Sequence, residues 1–132
     1  MEKIRVQIID EHPAACRALA ARLSTVASLE VVGAQSAFVD GLESMRAARP
    51  DVVLLELKWK TDDDAAPLAA IGRLLARSPA AVIVLTSFVD EAERSRMLQA
   101  GARRYLLKDI DTGRLIHEIE AVANEAAPRA LC

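Results

Sequence analysis

The chain has 132 residues, of which 52% are hydrophobic and only 3% are aromatic, so we expect one domain with a core of Ala, Val, Leu and Ile side chains. Its net charge of −2, with no block of like charges, argues against DNA binding by this domain itself. Two cysteines without the spacing of metal ligands, no signal peptide and no long apolar run favour a reduced, cytoplasmic protein that does not enter the membrane.

Five apolar segments of strand length alternate with segments of helical spacing. The predicted strands are IRVQII, LEVVGA, DVVLLEL, AVIVLTS and RRYLLK. Such alternation implies parallel pairing through right-handed crossovers, and hence a doubly wound α/β sandwich. The first strand is unusual, because Arg5 and Gln7 alternate with its apolar residues as if one face were exposed to solvent. Its place in the chain order still puts it in the centre of the sheet.

The helical segments carry recognisable end signals. The first helix has Pro13 in its first turn, where proline is tolerated. Further helices are predicted over 37–48, 65–76 and 112–126. The fourth helix is bounded by Asp90 as N-cap and Gly101 as C-cap. One domain therefore accounts for all five strands and five helices.

Polar side chains follow the carboxyl ends of four predicted strands. They are Asp10 and Glu11, Glu56, Thr86 and Ser87, and Lys108. Ligands of an open parallel sheet bind beyond these ends, where the strand order reverses. Two carboxylates about 4 Å apart repel by roughly 4 kcal/mol at an effective dielectric near 20, so three acidic groups together require a cation or a proton. Oxygen ligands favour Mg²⁺, and the lysine and hydroxyl groups suit a phosphoryl group on the strand-three carboxylate.

These motifs resemble the receiver domain of two-component response regulators over nearly the whole chain. IIDEHPAACRALAARL resembles the acidic pair and first helix of that family, and LTSFVDEAERSRMLQAGARRYLLKD resembles its fourth strand through the end of its fifth. AGARRYLLKD, with DEHP near the start, is most similar to the LuxR/NarL-type subfamily. The resemblance implies a flavodoxin-like sheet of order 2-1-3-4-5, a receiver domain over 1–126, and a tail or the start of a linker over 127–132.

The resemblance also implies roles for individual residues. Asp10 and Glu11 correspond to the metal-binding acidic pair, Thr86 to the switch hydroxyl, Tyr105 to the switch aromatic and Lys108 to the lysine that contacts phosphate. The implied partners are a second copy in a homodimer and a sensor histidine kinase. DNA would be bound only through a C-terminal domain that is not part of this chain.

The strand-three position departs from the family pattern. Glu56 stands where the family has its phosphoacceptor aspartate, and Glu11 also replaces an aspartate. Each extra methylene carries a carboxylate about 1.5 Å forward, and a misplacement of about 1 Å can slow phosphoryl transfer on the order of a hundredfold. We therefore expect an atypical receiver that is not phosphorylated normally, with a weakened Mg²⁺ site of Asp10, Glu11 and Glu56. Glu56 would imitate the phosphorylated state imperfectly.

Other interpretations remain open. A small-molecule ligand or partner protein docking near Trp59 could replace phosphorylation as the signal, although packing of Trp59 on the third helix is the simpler reading. Lys58 or Lys60 could neutralise the carboxylates instead of Mg²⁺. His12 is interpreted as part of the start of the first helix, and the outer face of the first or fifth helix as the dimer surface. An enzyme is not expected, because the sequence has no Gly-rich phosphate loop and no nucleophile with an adjacent base.

Overall fold

The computed structural model describes residues 2–56 and 65–126, in which strands and helices alternate strictly. In chain order the elements are β1 (Ile4–Asp10), α1 (Pro13–Ser24), β2 (Leu29–Gln35), α2 (Phe38–Ala48), β3 (Val52–Glu56), α3 (Ala65–Arg77), β4 (Ala81–Thr86), α4 (Glu91–Gln99), β5 (Arg104–Leu107) and α5 (Thr112–Ala126). The predicted five strands and five helices are confirmed. Within the described ranges, each helix is too short or too polar to span a lipid bilayer.

The five strands form one parallel sheet in the order β2-β1-β3-β4-β5, which confirms the predicted flavodoxin-like order. The strand order reverses at β1, since β2 lies on one side of it and β3 on the other. A crevice therefore opens beyond the carboxyl ends of β1 and β3. Asp10 and Glu56 are register partners on these two strands, so both carboxylates lie at the same level of the sheet edge.

Helices cover both faces of the sheet. On one face α1 and α5 pack on β1, β3 and β4, with Leu115, Ile119 and Val122 of α5 fully buried. On the other face α2, α3 and α4 pack on the alternate residues of the same strands. Burying each large aliphatic side chain stabilises the fold by about 1.5–3 kcal/mol. Strand β3 is buried along its whole length, as expected of a strand covered on both faces.

The polar side chains of β1 form hydrogen bonds with α2. Gln7 is fully buried, and its Nε2 donates hydrogen bonds to the Gly41 carbonyl and the Ser44 hydroxyl, both at 2.9 Å. Arg5 Nη2 donates to the carbonyl of Ala48 at 2.6 Å, which satisfies a backbone group at the end of α2. The polar positions of β1 therefore differ, because Gln7 is buried whereas the Arg5 side chain is 37% exposed, and the strand is central, as its place in the chain predicts.

The predicted end signals fix α4. Asp90 Oδ1 accepts hydrogen bonds from the backbone N–H groups of Ala92 at 2.9 Å and Glu93 at 3.2 Å. Gly101 follows the helix with φ of +118°, a conformation that side chains rarely adopt. These caps matter because α4 buries only Met97, so little packing holds its N-terminus in place.

Candidate functional site

An ion-paired cluster lies at the carboxyl edge of the sheet. Asp10 and Glu56 are 2% and 8% exposed, and the side chain of Lys108 reaches both of them from the end of β5. Lys108 Nζ lies 2.6 Å from Asp10 Oδ2 and also contacts Glu56 Oε1. The backbone N–H of Lys108 donates to the carbonyl of Thr86 at 2.7 Å, which positions the lysine beside the end of β4. The structure thus brings together three of the predicted site residues.

The two contacts of the ammonium group differ in kind. Lys108 donates a hydrogen bond to Glu56 Oε1, whereas Asp10 Oδ2 has no partner with hydrogen-bond geometry, so its contact with Lys108 is an ion pair. The other oxygen of Asp10 accepts a hydrogen bond from the backbone N–H of His12 at 2.9 Å. Each carboxylate therefore has a donor or a positive charge close to it.

The charge on Lys108 is stabilised by its neighbours. Burial by itself would lower the pKa of this ammonium group, but the close contacts with the negatively charged Asp10 and Glu56 carboxylates outweigh burial and raise the pKa above the ordinary lysine value. Conversely, the ammonium offsets the repulsion between two nearly buried carboxylates. Within the described ranges, Lys108 supplies the positive charge that the sequence analysis expected from Mg²⁺ or from Lys58 or Lys60.

The hydroxyl beside Glu56 belongs to Ser87. Its Oγ donates to Glu56 Oε2 at 3.2 Å, whereas Thr86 Oγ1 donates to the backbone carbonyl of Phe88 at 2.9 Å and accepts from its N–H at 3.2 Å. Side chains alternate between the two faces of a strand. Leu54 and Leu85 pack on the same face as α1 and α5, so Glu56 and Ser87, two residues further on, point to that face. Thr86 points to the other.

Tyr105 joins β5 to the start of α4. The side chain is 6% exposed, and its hydroxyl donates to Glu93 Oε2 at 2.9 Å and accepts from the backbone N–H of Asp90 at 3.3 Å. Burial raises the pKa of the Tyr105 phenol, and the Glu93 carboxylate raises it further, while the hydrogen bond from Asp90 acts in the opposite direction. The aromatic residue at the predicted switch position is therefore bonded to the segment that follows β4.

The atoms that could hold a metal ion differ from the predicted set. Three candidate ligand atoms lie within 4.8 Å of one another, one each from Asp10, His12 and Glu56. His12 Nε2 is 3.8 Å from Glu56 Oε1. Glu11 is not a member of this group, and its backbone N–H donates to the Glu56 carbonyl at 3.3 Å. His12 also begins α1 as its N-cap residue, as interpreted from the sequence.

The donor set does not fit Mg²⁺ in this arrangement. Mg²⁺ takes oxygen ligands in nearly ideal octahedral geometry, but both carboxylates already contact the Lys108 ammonium, and the third donor is an imidazole nitrogen. A divalent ion would have to displace the ammonium group from Asp10 and Glu56. Mg²⁺ binding at this acidic cluster would therefore require Lys108 to move, and the role of Mg²⁺ as a cofactor stays a prediction.

Two further expectations concern residues whose structure is not described. A ligand site near Trp59 and charge neutralisation by Lys58 or Lys60 both fall in 57–64, outside the described residues.

The dimer surface was expected on the outer face of α1 or α5. In the described part of the chain, the large exposed hydrophobic residues lie elsewhere, namely at Val39, Leu75, Phe88, Val89 and Leu107.

Comparison with known proteins identifies the family. The sequence model of the response regulator receiver domain matches residues 6–120, which include the strand ends that carry Asp10, Glu56 and Lys108. The chain belongs to the response regulator receiver domain family. The resemblance predicted from the sequence is thereby confirmed, including its LuxR/NarL type.

Several relatives of this receiver are transcriptional regulatory proteins. The chain is 36% identical over 129 residues to the transcriptional regulatory protein LiaR of Bacillus subtilis, covering 96% of this chain and 58% of LiaR. It is 35% identical over 122 residues to the transcriptional regulatory protein MctR of Rhizobium johnstonii, covering 92% of this chain and 56% of MctR. The receiver thus spans somewhat more than half the length of these relatives.

Solved receiver structures have the same fold. The signal receiver domain of the response regulator NarL from Mycobacterium tuberculosis superposes with a TM-score of 0.78 at 28% identity, covering 98% of this chain and 100% of that one. A LuxR-family response regulator from Aurantimonas sp. SI85-9A1 superposes with a TM-score of 0.78 at 20% identity, covering 94% and 87% of the two chains. The second similarity concerns the fold alone.

Proposed function

We propose that this chain is the regulatory half of a transcriptional response regulator whose switch is not set by ordinary phosphorylation at residue 56. The observation that carries the proposal is the environment of Glu56. This carboxylate ends β3 in the acceptor position, and both of its oxygens are engaged, one by Lys108 and the other by Ser87. A group so held is suited to maintaining a conformation rather than to attacking a phosphodonor.

Both the length and the contacts of Glu56 oppose phosphoryl transfer. The attacking oxygen must lie in line with the leaving group, and the extra methylene moves this oxygen about 1.5 Å from the place an aspartate would give it. In addition, a new bond to phosphorus at Oε1 would require the Lys108 ammonium to move away from it. A displacement of about 1 Å alone can cost on the order of a hundredfold in rate.

Glu56 reproduces part of what a phosphoryl group would do. It presents a negative charge to Lys108, but a phosphoryl group carries about −1.5 to −2 charge and three acceptor oxygens. The Thr86 hydroxyl is bonded to the Phe88 backbone, and the hydroxyl bonded to Glu56 is that of Ser87. We infer a fixed arrangement in which the lysine is engaged and the switch hydroxyl is not. Another input could change this arrangement only through different affinities for the two states.

The remaining assignments follow the relatives. We propose that residues 1–126 form the receiver and that 127–132 begin a linker, because the family model matches residues 6–120 and the named relatives are longer than this chain. DNA binding would then belong to a further domain. A homodimer and a sensor histidine kinase are the proposed protein partners.

Intact mass spectrometry tests the central assignment. The purified chain, Glu56→Asp and Glu56→Gln are each incubated with Mg²⁺ and acetyl phosphate. We expect no phosphoryl adduct on the parent chain or on Glu56→Gln. Partial labelling is expected for Glu56→Asp, because Glu11 still stands in place of an aspartate. A stoichiometric adduct on Glu56 of the parent would overturn the proposal, and so would an adduct on another acid that persists in Glu56→Gln.

A further inference from the structure

A second cleft lies at the opposite edge of the sheet. The C-terminal parts of α2 and α3 and the turns that lead into β3 and β4 surround a cavity of about 640 Å³. Arg46, Arg49 and Arg77 line it together with two acidic residues, Glu43 and Asp51. We call this region the arginine cleft. Its lining has one more positive than negative charge, although the whole chain carries a net charge of −2.

The three arginines of this cleft are not engaged by the rest of the fold. Across residues 2–56 and 65–126, the guanidinium groups of Arg46, Arg49 and Arg77 have no hydrogen-bond or ion-pair partner. Arg104, in contrast, contacts Glu118 and Glu125, each at 2.8 Å. Like charges gathered without partners repel one another, and a bound anion would relieve this repulsion.

The acidic residues of the cleft are fewer than its arginines. Asp51 Oδ2 accepts a hydrogen bond from the backbone N–H of Arg5 at 2.9 Å, which fixes the carboxylate against β1. Glu43 is exposed on α2. The exposed Glu43 carboxylate is therefore placed to accept a hydrogen bond from a bound molecule that also carries donor groups.

The backbone conformation of Arg49 gives an independent reason to expect that its side chain binds a ligand. Arg49 follows α2 with φ of +48° and ψ of 60°, and it is the only non-glycine residue with positive φ in the described ranges. Glycine is the usual residue at this position after a helix, because a side chain is strained there. Strained residues of this kind cluster at ligand sites, and glycine at 49 would relieve the strain but remove one of the three guanidinium groups.

We propose that the arginine cleft binds a small organic phosphate of nucleotide size. Guanidinium groups match the oxygens of a phosphate with paired hydrogen bonds. The volume falls within the roughly 300–1,000 Å³ typical of small-molecule sites. The exposed Pro79, with the edges of the mostly buried Leu42 and Met45, supplies apolar wall for the rest of the ligand.

The charge balance favours a small ligand over nucleic acid. A local excess of one positive charge on a chain with net charge −2 is far from the extended basic surface that neutralises many phosphates of a duplex. The cleft is also distinct from the site at Glu56, which lies at the other ends of the strands. Its test is therefore independent of whether Glu56 accepts phosphate.

An NMR titration of the ¹⁵N-labelled chain tests the proposal, with ADP and inorganic pyrophosphate as probes. We expect ADP to shift the backbone amides of Arg46, Arg49, Asp51 and Ser78, and to bind more tightly than pyrophosphate because its nucleoside contacts the apolar wall. Raising NaCl from about 50 to about 200 mM should weaken binding several-fold, since the arginines are exposed.

Matched variants separate binding from folding. Arg49→Gly should lower the affinity for ADP about tenfold or more, the loss expected for a charged contact, while its melting temperature stays at or above that of the parent because strain is removed. Arg77→Gln should lower the affinity similarly. Arg22→Gln, an exposed arginine on α1, should leave binding unchanged.

Three outcomes would overturn the proposal. One is the absence of amide shifts at the cleft with ADP up to about 10 mM, where even a millimolar site would be largely filled. Another is binding that Arg49→Gly and Arg77→Gln leave unchanged. The third is a cleft that responds to a short DNA duplex or to an acidic peptide but not to ADP.

Discussion

Replacing Lys108 with methionine should destabilise this receiver by about 3–5 kcal/mol, the cost of removing one partner from a buried ion pair. The variant keeps a long unbranched side chain but leaves the Asp10 and Glu56 carboxylates adjacent, 2% and 8% exposed, without a counter-charge. Because the Lys108 side chain is itself 21% exposed, we expect the lower end of the range. For a domain of this size, a loss of about 3 kcal/mol lowers the melting temperature by roughly 10–15 °C.

Urea unfolding followed by circular dichroism at 25 °C measures this loss. Combining Lys108→Met with Glu56→Gln should recover part of the stability, because only one buried carboxylate then remains, and the coupling between the two sites should be about 1–3 kcal/mol. Lys3→Met is the matched control, since Lys3 is exposed and should change stability by no more than about 0.5 kcal/mol.

The reasoning about this ion pair would be refuted by a small or uncoupled effect. If Lys108→Met costs less than about 1 kcal/mol, the carboxylates are not held apart from water as strongly as their burial indicates. If the double variant is as unstable as the sum of the two single variants, the lysine and Glu56 do not act as a pair.

Three further predictions concern metal binding and pH. Mg²⁺ should raise the melting temperature of Lys108→Met but not that of the parent, because only the variant frees both carboxylates; equal shifts in a thermal melt would contradict this. The contributions of Lys108 and Tyr105 to stability should be fully present below about pH 10 and be lost above it, since their folded-state pKa values are both raised and each contribution is lost as pH rises from the unfolded value through the folded one; a urea series that shows no loss above about pH 10 would count against the raised values. Tyr105, the only tyrosine, should titrate above pH 10.0 in ultraviolet absorbance. Glu93→Gln should lower the midpoint of this titration. An unchanged midpoint would exclude the contact with Glu93 as a cause of the raised pKa.

The fold and the convergence of charged groups were predictable from the sequence. Alternating strands and helices leave few topologies, and parallel strands place their carboxyl ends at one edge. Asp10, Glu56 and Lys108 follow three such strands, so their proximity follows from the strand pattern alone. The caps at Asp90 and Gly101 were also predictable, because they depend on local backbone conformation.

Other features depend on contacts that strand patterns do not specify. Ser87 rather than Thr86 contacts Glu56, although counting alternate positions from the buried residues of β3 and β4 would have indicated it. The burial of Gln7 depends on where α2 packs, and the cation that neutralises the carboxylates depends on the reach of one lysine side chain across β4. The positive φ of Arg49 has no local signal, because the sequence has no glycine there.

A phosphodonor is expected to leave the conformation of the switch residues Thr86 and Tyr105 unchanged, and NMR measures this directly. Backbone amide resonances of Thr86, Ser87 and Tyr105 are recorded in the parent chain and in Glu56→Asp, before and after addition of Mg²⁺ and acetyl phosphate. We predict that the parent spectrum is unchanged and that these resonances shift in Glu56→Asp. Shifts of the same size at Thr86 and Tyr105 in the parent would contradict the account.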